Sequence, residues 1–404
     1  MEPVKLERRY DLDWLRVIAF SILILFHTGM LFNTWEWHVK NNVTSKIPEL
    51  FMTLLHQWRM PLLFLISGAA ASFLLRKLDV RKYAGNRVQR LLLPLAFGMF
   101  FIIPPQVYYE RLFQGHTFGS FADFYQTVLA FVPYPVGNFS WHHLWYIPYI
   151  LVFSFLVLPL SWYATTQRGK QQLLNALDSI TGKNTIILWF LPLGILQILL
   201  RPFWPSDTNN LVADWSNFAW TFTFFVYGFL LASHTAIWGT IENLRRMTLK
   251  IAVISFVVLA IVWTSDYELS QLELVPYRLL KSLHAWCWIL TLLGFARKYL
   301  NRNSGMLRYA NEAVYPFYIL HQTIIVIIGY YLADWQVNPF VKFFIVAAGT
   351  VASCWVLYEG VIRRNALTRL LFGMRGMRGM NPGKAHETSP VAGGEALVKS
   401  EVSR

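Results

Sequence analysis

Arg16 and His27 stand eleven residues apart in a stretch that is otherwise almost wholly apolar. Histidine offers general-base or nucleophilic chemistry near neutral pH. Arginine offers a fixed positive charge. Eleven residues carry an α-helix through three turns and about 20° beyond. The two side chains therefore share one stripe, about 16 Å apart along the axis. Asp13, three residues before Arg16, is placed to pair with it. Ionisable groups inside so apolar a run are functional candidates, because lipid makes them expensive. The structural alternative for His27 is a neutral ring that hydrogen-bonds between helices.

Four further patterns carry polar chemistry. In Arg87-Val88-Gln89-Arg90 a helix would set the arginines one turn apart, as a fork suited to phosphate. A basic loop beside a membrane also contains such arginines with no ligand. In His56-Gln57-Trp58-Arg59-Met60-Pro61, Arg59 opens an apolar run, either as a snorkelling side chain or as an acceptor or anion contact. Ser67-Gly68, further along that run, mark close helix packing. His142-His143-Leu144-Trp145-Tyr146 opens another run; adjacent histidines on a helix face different sides, which disfavours a metal pair. His321 and His284 lie inside apolar runs, where histidines pack or orient neighbours. There is no His-Glu-x-x-His, Cys-x-x-Cys or carboxylate cluster, so no metal site is supported. Phosphate-loop, dinucleotide and Gly-x-Ser-x-Gly signatures are likewise absent.

The elements that must position these residues follow from composition. Hydrophobic residues make up 55% of the 404, aromatics 17% and charged residues 14%. Soluble domains carry roughly 25% charged residues. Apolar runs fall at 12–33, 57–75, 91–110, 144–163, 185–201, 216–233, 248–264, 279–296, 312–333 and 339–359. Most suit a hydrocarbon core of ~30 Å at about 1.5 Å per residue; the fifth and seventh are the shortest. The expectation is an all-α polytopic transmembrane bundle of about ten spans. The first run has no small-residue cleavage site and continues into Phe32-Asn33-Thr34-Trp35, which marks a retained helix.

Basic residues orient the bundle. With both termini cytoplasmic, the outer segments hold eight: Lys40, Lys46, Arg59, Arg111, Arg201, Arg278, Lys281 and Lys342. The other 28 of the 36 lie inside, as the positive-inside rule requires. The net charge of +14 is dispersed between apolar runs, so anionic membrane lipid explains it and nucleic acid is not a partner. In this frame Arg16 sits near the inner interface and His27 near the bilayer midplane. Arg59 and His143 begin spans at the outer side.

Residues 1–360 form the membrane domain, and 361–404 a basic cytoplasmic tail expected to be disordered. From Gly373 the tail repeats Gly-Met-Arg and then turns to Gly, Pro, Ser and charge, a composition that stays disordered. Residues 111–143 form the longest outer loop, which covers an outward cavity or anchors at the interface through its aromatics. Cys287 and Cys354 lie in apolar runs as free thiols.

Taken together, Asp13-x-x-Arg16, His27, Met60-Pro61 with Phe64 and Ser67-Gly68, Arg87-x-x-Arg90, His143-Leu144-Trp145-Tyr146 and Leu320-His321 resemble the acyltransferase 3 family over residues 10–360. The pattern is closer to its periplasmic-glucan succinyltransferase branch than to its sugar-antigen acetyltransferases. The resemblance implies a multi-pass enzyme of the bacterial inner membrane. It would move an acetyl or succinyl group from cytoplasmic acyl-CoA to a hydroxyl of an envelope or periplasmic glycan, or of a lipid-linked sugar. No permanently bound cofactor is implied; the partners are acyl-CoA, the sugar acceptor and membrane lipid. Carried over, His27 is the essential histidine and Arg16 belongs to the donor path. Arg87 and Arg90 hold the donor phosphates, with Asp13, Arg59, His143 and His321 in support. His27 could act as general base or take the acyl group itself, and both routes stay open.

The rival reading is a secondary transporter of a small anion or sugar, with His27, His321 and Arg16 on the path. Such transporters often carry paired repeats with broken helices, and no such symmetry is visible.

Overall fold

A computed structural model describes residues 8–181, 185–265 and 267–376. These residues form helices and no β-strand. In chain order they are α1 (Tyr10–Gly29), α2 (Glu49–Leu75), α3 (Val80–Phe113), α4 (Phe121–Leu129), α5 (His142–Thr165), α6 (Gln167–Thr181), α7 (Thr185–Leu200), α8 (Trp215–Leu231), α9 (Thr235–Thr264), α10 (Leu274–Leu300), α11 (Gly305–Leu332), α12 (Pro339–Ile362) and α13 (Ala366–Leu371). Eight are long and apolar enough to cross a membrane: α1, α2, α3, α5, α9, α10, α11 and α12. The fifth and sixth expected spans fall on the shorter helices α7 and α8. The seventh, short as an apolar run, is the second half of the 30-residue α9.

Local sequence explains the irregular helices. α3 widens into single π-turns at Val88–Leu92 and Gly98–Ile102, each followed by a proline, Pro94 or Pro104. A proline removes a helical donor and crowds the preceding turn, and a wide turn absorbs the mismatch. Arg90 sits in the first of these turns.

The core runs through α1, α2, α5, α8, α10 and α11. α2 and α8 cross backbone to backbone. A Cβ on Gly68 would overlap the Phe225 carbonyl, and one on Gly228 would overlap the Leu65 carbonyl. Gly68 is thus a packing residue, as its place beside Ser67 predicts. Val253, Ile254, Val257 and Ile261 of α9, and Phe340, Phe344 and Val356 of α12, stay exposed. These are the faces turned to lipid.

Two expectations are corrected. α1 ends at Gly29, four residues short of the span expected at 12–33, so His27 lies in its last turn. Residues 30–48 leave the helix and fold against α11 and α12. Lys342 donates to Asn41 Oδ1 at 2.7 Å, Asn42 Oδ1 at 3.2 Å and the Ala333 carbonyl at 3.0 Å. The tail is not disordered from 361. Arg369 of α13 is buried, donates to Glu312 Oε1 at 2.9 Å, and also bonds the carbonyls of Arg363 and Arg375. That saturated guanidinium folds 363–376 back onto the bundle; residues 377–404 lie outside the described residues.

Candidate active site

A cavity of about 900 Å³ opens at the end of the bundle where α1 begins. Arg16, Arg87 and Arg90 line it, joined by Arg8, Arg9, Lys77, Arg308, Arg369 and Arg375. Two lining carboxylates, Asp13 and Glu312, oppose these nine cationic groups. Arg16 donates to Asn311 Oδ1 and lies 3.4 Å from Asp13 Oδ1. Asp13 also pairs with Arg8 at 3.1 Å. Arg87 and Arg90 have no carboxylate partner among the described residues. Arg87 Nε and Nη2 are shut from solvent with no hydrogen bond, and the guanidinium rests 4.8 Å from the Tyr83 ring centroid. Two unpaired arginines among so many cations favour an anion of several charges.

The cavity narrows onto aromatic rings. Phe20 and Tyr146 line it, with ring centroids 6.3 Å apart. Phe20 also lies 5.1 Å from Tyr318. Ser67 Oγ and Tyr146 OH are 2.5 Å apart, and Tyr146 OH donates to the Leu63 carbonyl at 3.1 Å. Beyond the rings, Tyr318 OH donates to the His143 carbonyl at 2.6 Å.

There the histidines gather. His27 and His321 have ring centroids 5.3 Å apart, and His321 and His143 5.2 Å. His321 Nδ1 lies 2.7 Å from the Tyr318 carbonyl, and His143 Nε2 lies 3.0 Å from the Ile319 carbonyl. A carbonyl only accepts, so those nitrogens carry the protons, and the opposite ring nitrogens are buried with no partner among the described residues. His27 Nδ1 has no partner. Arg59 is 3% exposed, with its guanidinium carbon 3.8 Å from the ring centroid of Phe26, the neighbour of His27.

The chain between α1 and α2 caps this cluster. Lys40 Nζ donates to the Met30 carbonyl, Asn33 Oδ1 and the Trp35 carbonyl at 2.6, 2.9 and 3.0 Å. Burial lowers its pKa to about 8. This knot places Trp37 over His27, at 6.2 Å with 20° between the planes. The next residue, His38, has Nε2 at 3.1 Å from Gln106 Nε2 and 3.0 Å from Gln322 Nε2. Both amides can only donate, so its proton sits on Nδ1, 3.0 Å from Glu110 Oε1. The 111–143 loop contributes its end: Tyr134 OH donates to Glu110 at 2.8 Å, and the His142 ring meets His38 at 4.9 Å.

The eight residues singled out from the sequence thus fall into two groups. Asp13, Arg16, Arg87 and Arg90 share the basic cavity; His27, Arg59, His143 and His321 share the region beyond the aromatic layer. His284 stays apart, bonded to Ser255 between α9 and α10 at 2.9 Å. Sequence reading missed His38, Glu110, Gln106 and Gln322, which carry no local signature. It also missed Arg375, although the Gly-Met-Arg repeat marked the segment.

A family profile described as "Acyltransferase domain" matches residues 9–359. The chain is similar to "Glucans biosynthesis protein C" of Escherichia coli O139:H28 (strain E24377A / ETEC), at 22% identity over 387 residues. That match covers 92% of this chain and 96% of the relative. The protein of the same name from Shigella dysenteriae serotype 1 (strain Sd197) is also 22% identical, over 391 residues, with 92% and 96% covered. No solved structure matches the chain.

Proposed function

This chain belongs to the acyltransferase 3 family, and from that premise we propose that it transfers an acyl group from acyl-CoA to a hydroxyl of an envelope glycan. It is a multi-pass membrane acyltransferase. In the proposal it resides in the bacterial inner membrane, both termini in the cytoplasm, with acetyl or succinyl as the acyl group. The curated relatives are named for glucan biosynthesis, which supports a glycan acceptor.

One observation carries this reading: a nine-cation cavity and a histidine cluster lie at opposite ends of the α1 stripe. Coenzyme A is a polyanion with a long, narrow arm ending in a thioester. Its phosphates suit Arg87, Arg90 and their neighbours on the basic face. Its arm then runs from Arg16 towards His27, about 16 Å at helical rise. On this path Phe20, Tyr146 and Tyr318 turn aside to admit the thioester. His27 accepts the proton of an acceptor hydroxyl arriving from the opposite face, or takes the acyl group first.

The test is labelled acyl transfer in membranes containing wild type or His27→Ala, supplied with acetyl-CoA and succinyl-CoA in parallel. Label in envelope glycan with wild type alone supports the proposal. Full transfer by an inserted His27→Ala removes His27 from the chemistry. No wild-type label from either donor, with glycan present and the protein inserted, removes acyl-CoA as donor.

A further inference from the structure

Arg59 is a buried cation with no carboxylate among the described residues to balance it. It is 3% exposed, and its Nε and Nη1 are closed to solvent without a hydrogen-bonding partner. No described residue pairs with it; its one contact of note is the Phe26 ring face. Arg369, buried to the same degree, shows what this chain otherwise does with such a group: a carboxylate and two backbone carbonyls saturate it. An unpaired buried guanidinium is strongly unfavourable, the more so beside lipid. Such a group marks a place where negative charge is brought or created.

Arg59 sits beside the histidine cluster through Phe26, whose ring stands edge-on to that of His27 at 5.7 Å. Its side chain is fixed from below by Phe26, one residue before His27. Its flank holds His56, one turn earlier on α2, whose ring stacks on Phe26 at 6.2 Å. No carboxylate is bonded to any of these groups among the described residues. The anion that completes the site therefore comes from the substrate.

We infer that Arg59 is the oxyanion-binding residue of acyl transfer, an assignment that rests on the function proposed above. The acceptor hydroxyl oxygen bonds to the acyl carbon, and its proton passes to His27. The carbonyl π pair moves onto the acyl oxygen, which comes to lie against the Arg59 guanidinium. When that pair returns, the C–S bond breaks, and the departing thiolate takes the proton from His27. If His27 itself attacks, the same oxygen becomes negative at the same place, so the role of Arg59 does not depend on the route. A fixed cation in a water-poor site stabilises such charge without reorganising.

The experiment compares full-length wild type, Arg59→Lys and Arg59→Gln in membranes, with acetyl-CoA and succinyl-CoA as donors and envelope glucan as acceptor. It also measures thermal stability in detergent. For Arg59→Gln the expected result is a fall in kcat of about 10²- to 10³-fold with both donors. Donor KM should change little, and the melting temperature should hold or rise, because an unpaired charge has been removed. Arg59→Lys should recover part of kcat. Three results overturn the assignment: unchanged kcat in Arg59→Gln, a loss confined to KM, or a loss with succinyl-CoA alone. The last would make Arg59 the partner of the acyl chain's own carboxylate. If wild type transfers from neither donor, the proposed function itself fails and this assignment with it.

Discussion

Glu110 Oε1 lies 3.0 Å from Nδ1 of His38, a buried carboxylate from α3 set against a ring carried by the loop that follows α1. Gln106 and Gln322 hold the other ring nitrogen, so the imidazole is gripped from two helices. Trp37, the next residue back, stacks on His27. The carboxylate thereby reaches the catalytic candidate through a short rigid chain. Glu110→Gln keeps the shape and removes the charge that orients His38. The expected outcome is a fall in kcat of up to about 10²-fold, the scale of a small misplacement at a reacting centre. Donor KM should stay near wild type, since Glu110 does not line the basic cavity. Steady-state transfer assays resolve the two.

The donor site makes the opposite prediction. Arg87 and Arg90 line the cavity without carboxylate partners, so removing either frees no buried acid. Each charge-assisted contact to phosphate is worth about 1.5–3 kcal/mol. Arg87→Ala and Arg90→Ala should therefore each raise donor KM by about 10- to 100-fold. kcat at saturating donor should move far less. Rising ionic strength should raise wild-type KM more steeply than that of the double variant, whose cavity keeps seven cationic groups.

Much of this architecture was legible in the sequence, because lipid is a strict solvent. It demands long apolar runs, and it makes Arg16 and His27 conspicuous within one of them. The eleven-residue spacing placed them on one stripe, and helical phase did the rest. What stayed hidden depends on contacts distant in sequence. Lys342 holds the first loop through Asn41, 301 residues away, and nothing in either segment announces the other. His38 looks like any polar loop residue until that loop is folded onto His27. The end of α1 differs from the expected span because Met30-Leu31-Phe32 is apolar enough to continue a helix, yet it turns away to pack on α11 and α12. The tail was misjudged because its Gly-rich composition concealed one arginine with enough acceptors to order it.

The crossing of α2 and α8 sets where Ser67 and the start of the aromatic layer lie. Gly68 and Gly228 face each other's helix backbones, where neither a rotamer change nor a side-chain shift can make room. Gly68→Ala and Gly228→Ala should each destabilise the protein by about 1–3 kcal/mol through overpacking. Gly239, with open space around its Cβ position, is the control and should tolerate alanine. Thermal unfolding of the purified proteins in detergent checks this.

Lys40 gives the first loop a pH dependence with a definite sign. Burial holds its pKa at about 8 against an ordinary value of 10.5. Between those values the unfolded loop binds more protons than the folded one, so folding gains stability as pH rises through the window. Below about 8 both forms are protonated and the burial penalty is present in full. Hydrogen exchange of residues 30–48, corrected for intrinsic rates, should show wild type gaining protection relative to Lys40→Met as pH rises from about 8 to about 10. Parallel curves for the two proteins would show that the loop does not sense this ammonium.

Gly373 joins the tail to the donor site by backbone alone. Its φ of +64° is in the left-handed region, and a Cβ there would stand 2.6 Å from Tyr315 Cε1 and 2.9 Å from the Arg90 carbonyl. Alanine therefore meets two separate obstacles, a conformational one of about 1–2 kcal/mol and a steric one against the wide turn that holds Arg90. The tail can escape both by lifting away, at the loss of the two bonds from Arg369 to the Arg375 carbonyl. Lifting would withdraw Arg375 from the cavity wall while leaving the histidine cluster untouched. Gly373→Ala should thus raise donor KM about as far as losing one phosphate contact, roughly tenfold, with kcat preserved. A variant that instead lost kcat at unchanged KM would place the influence of the tail on the chemistry, not on the grip of the donor.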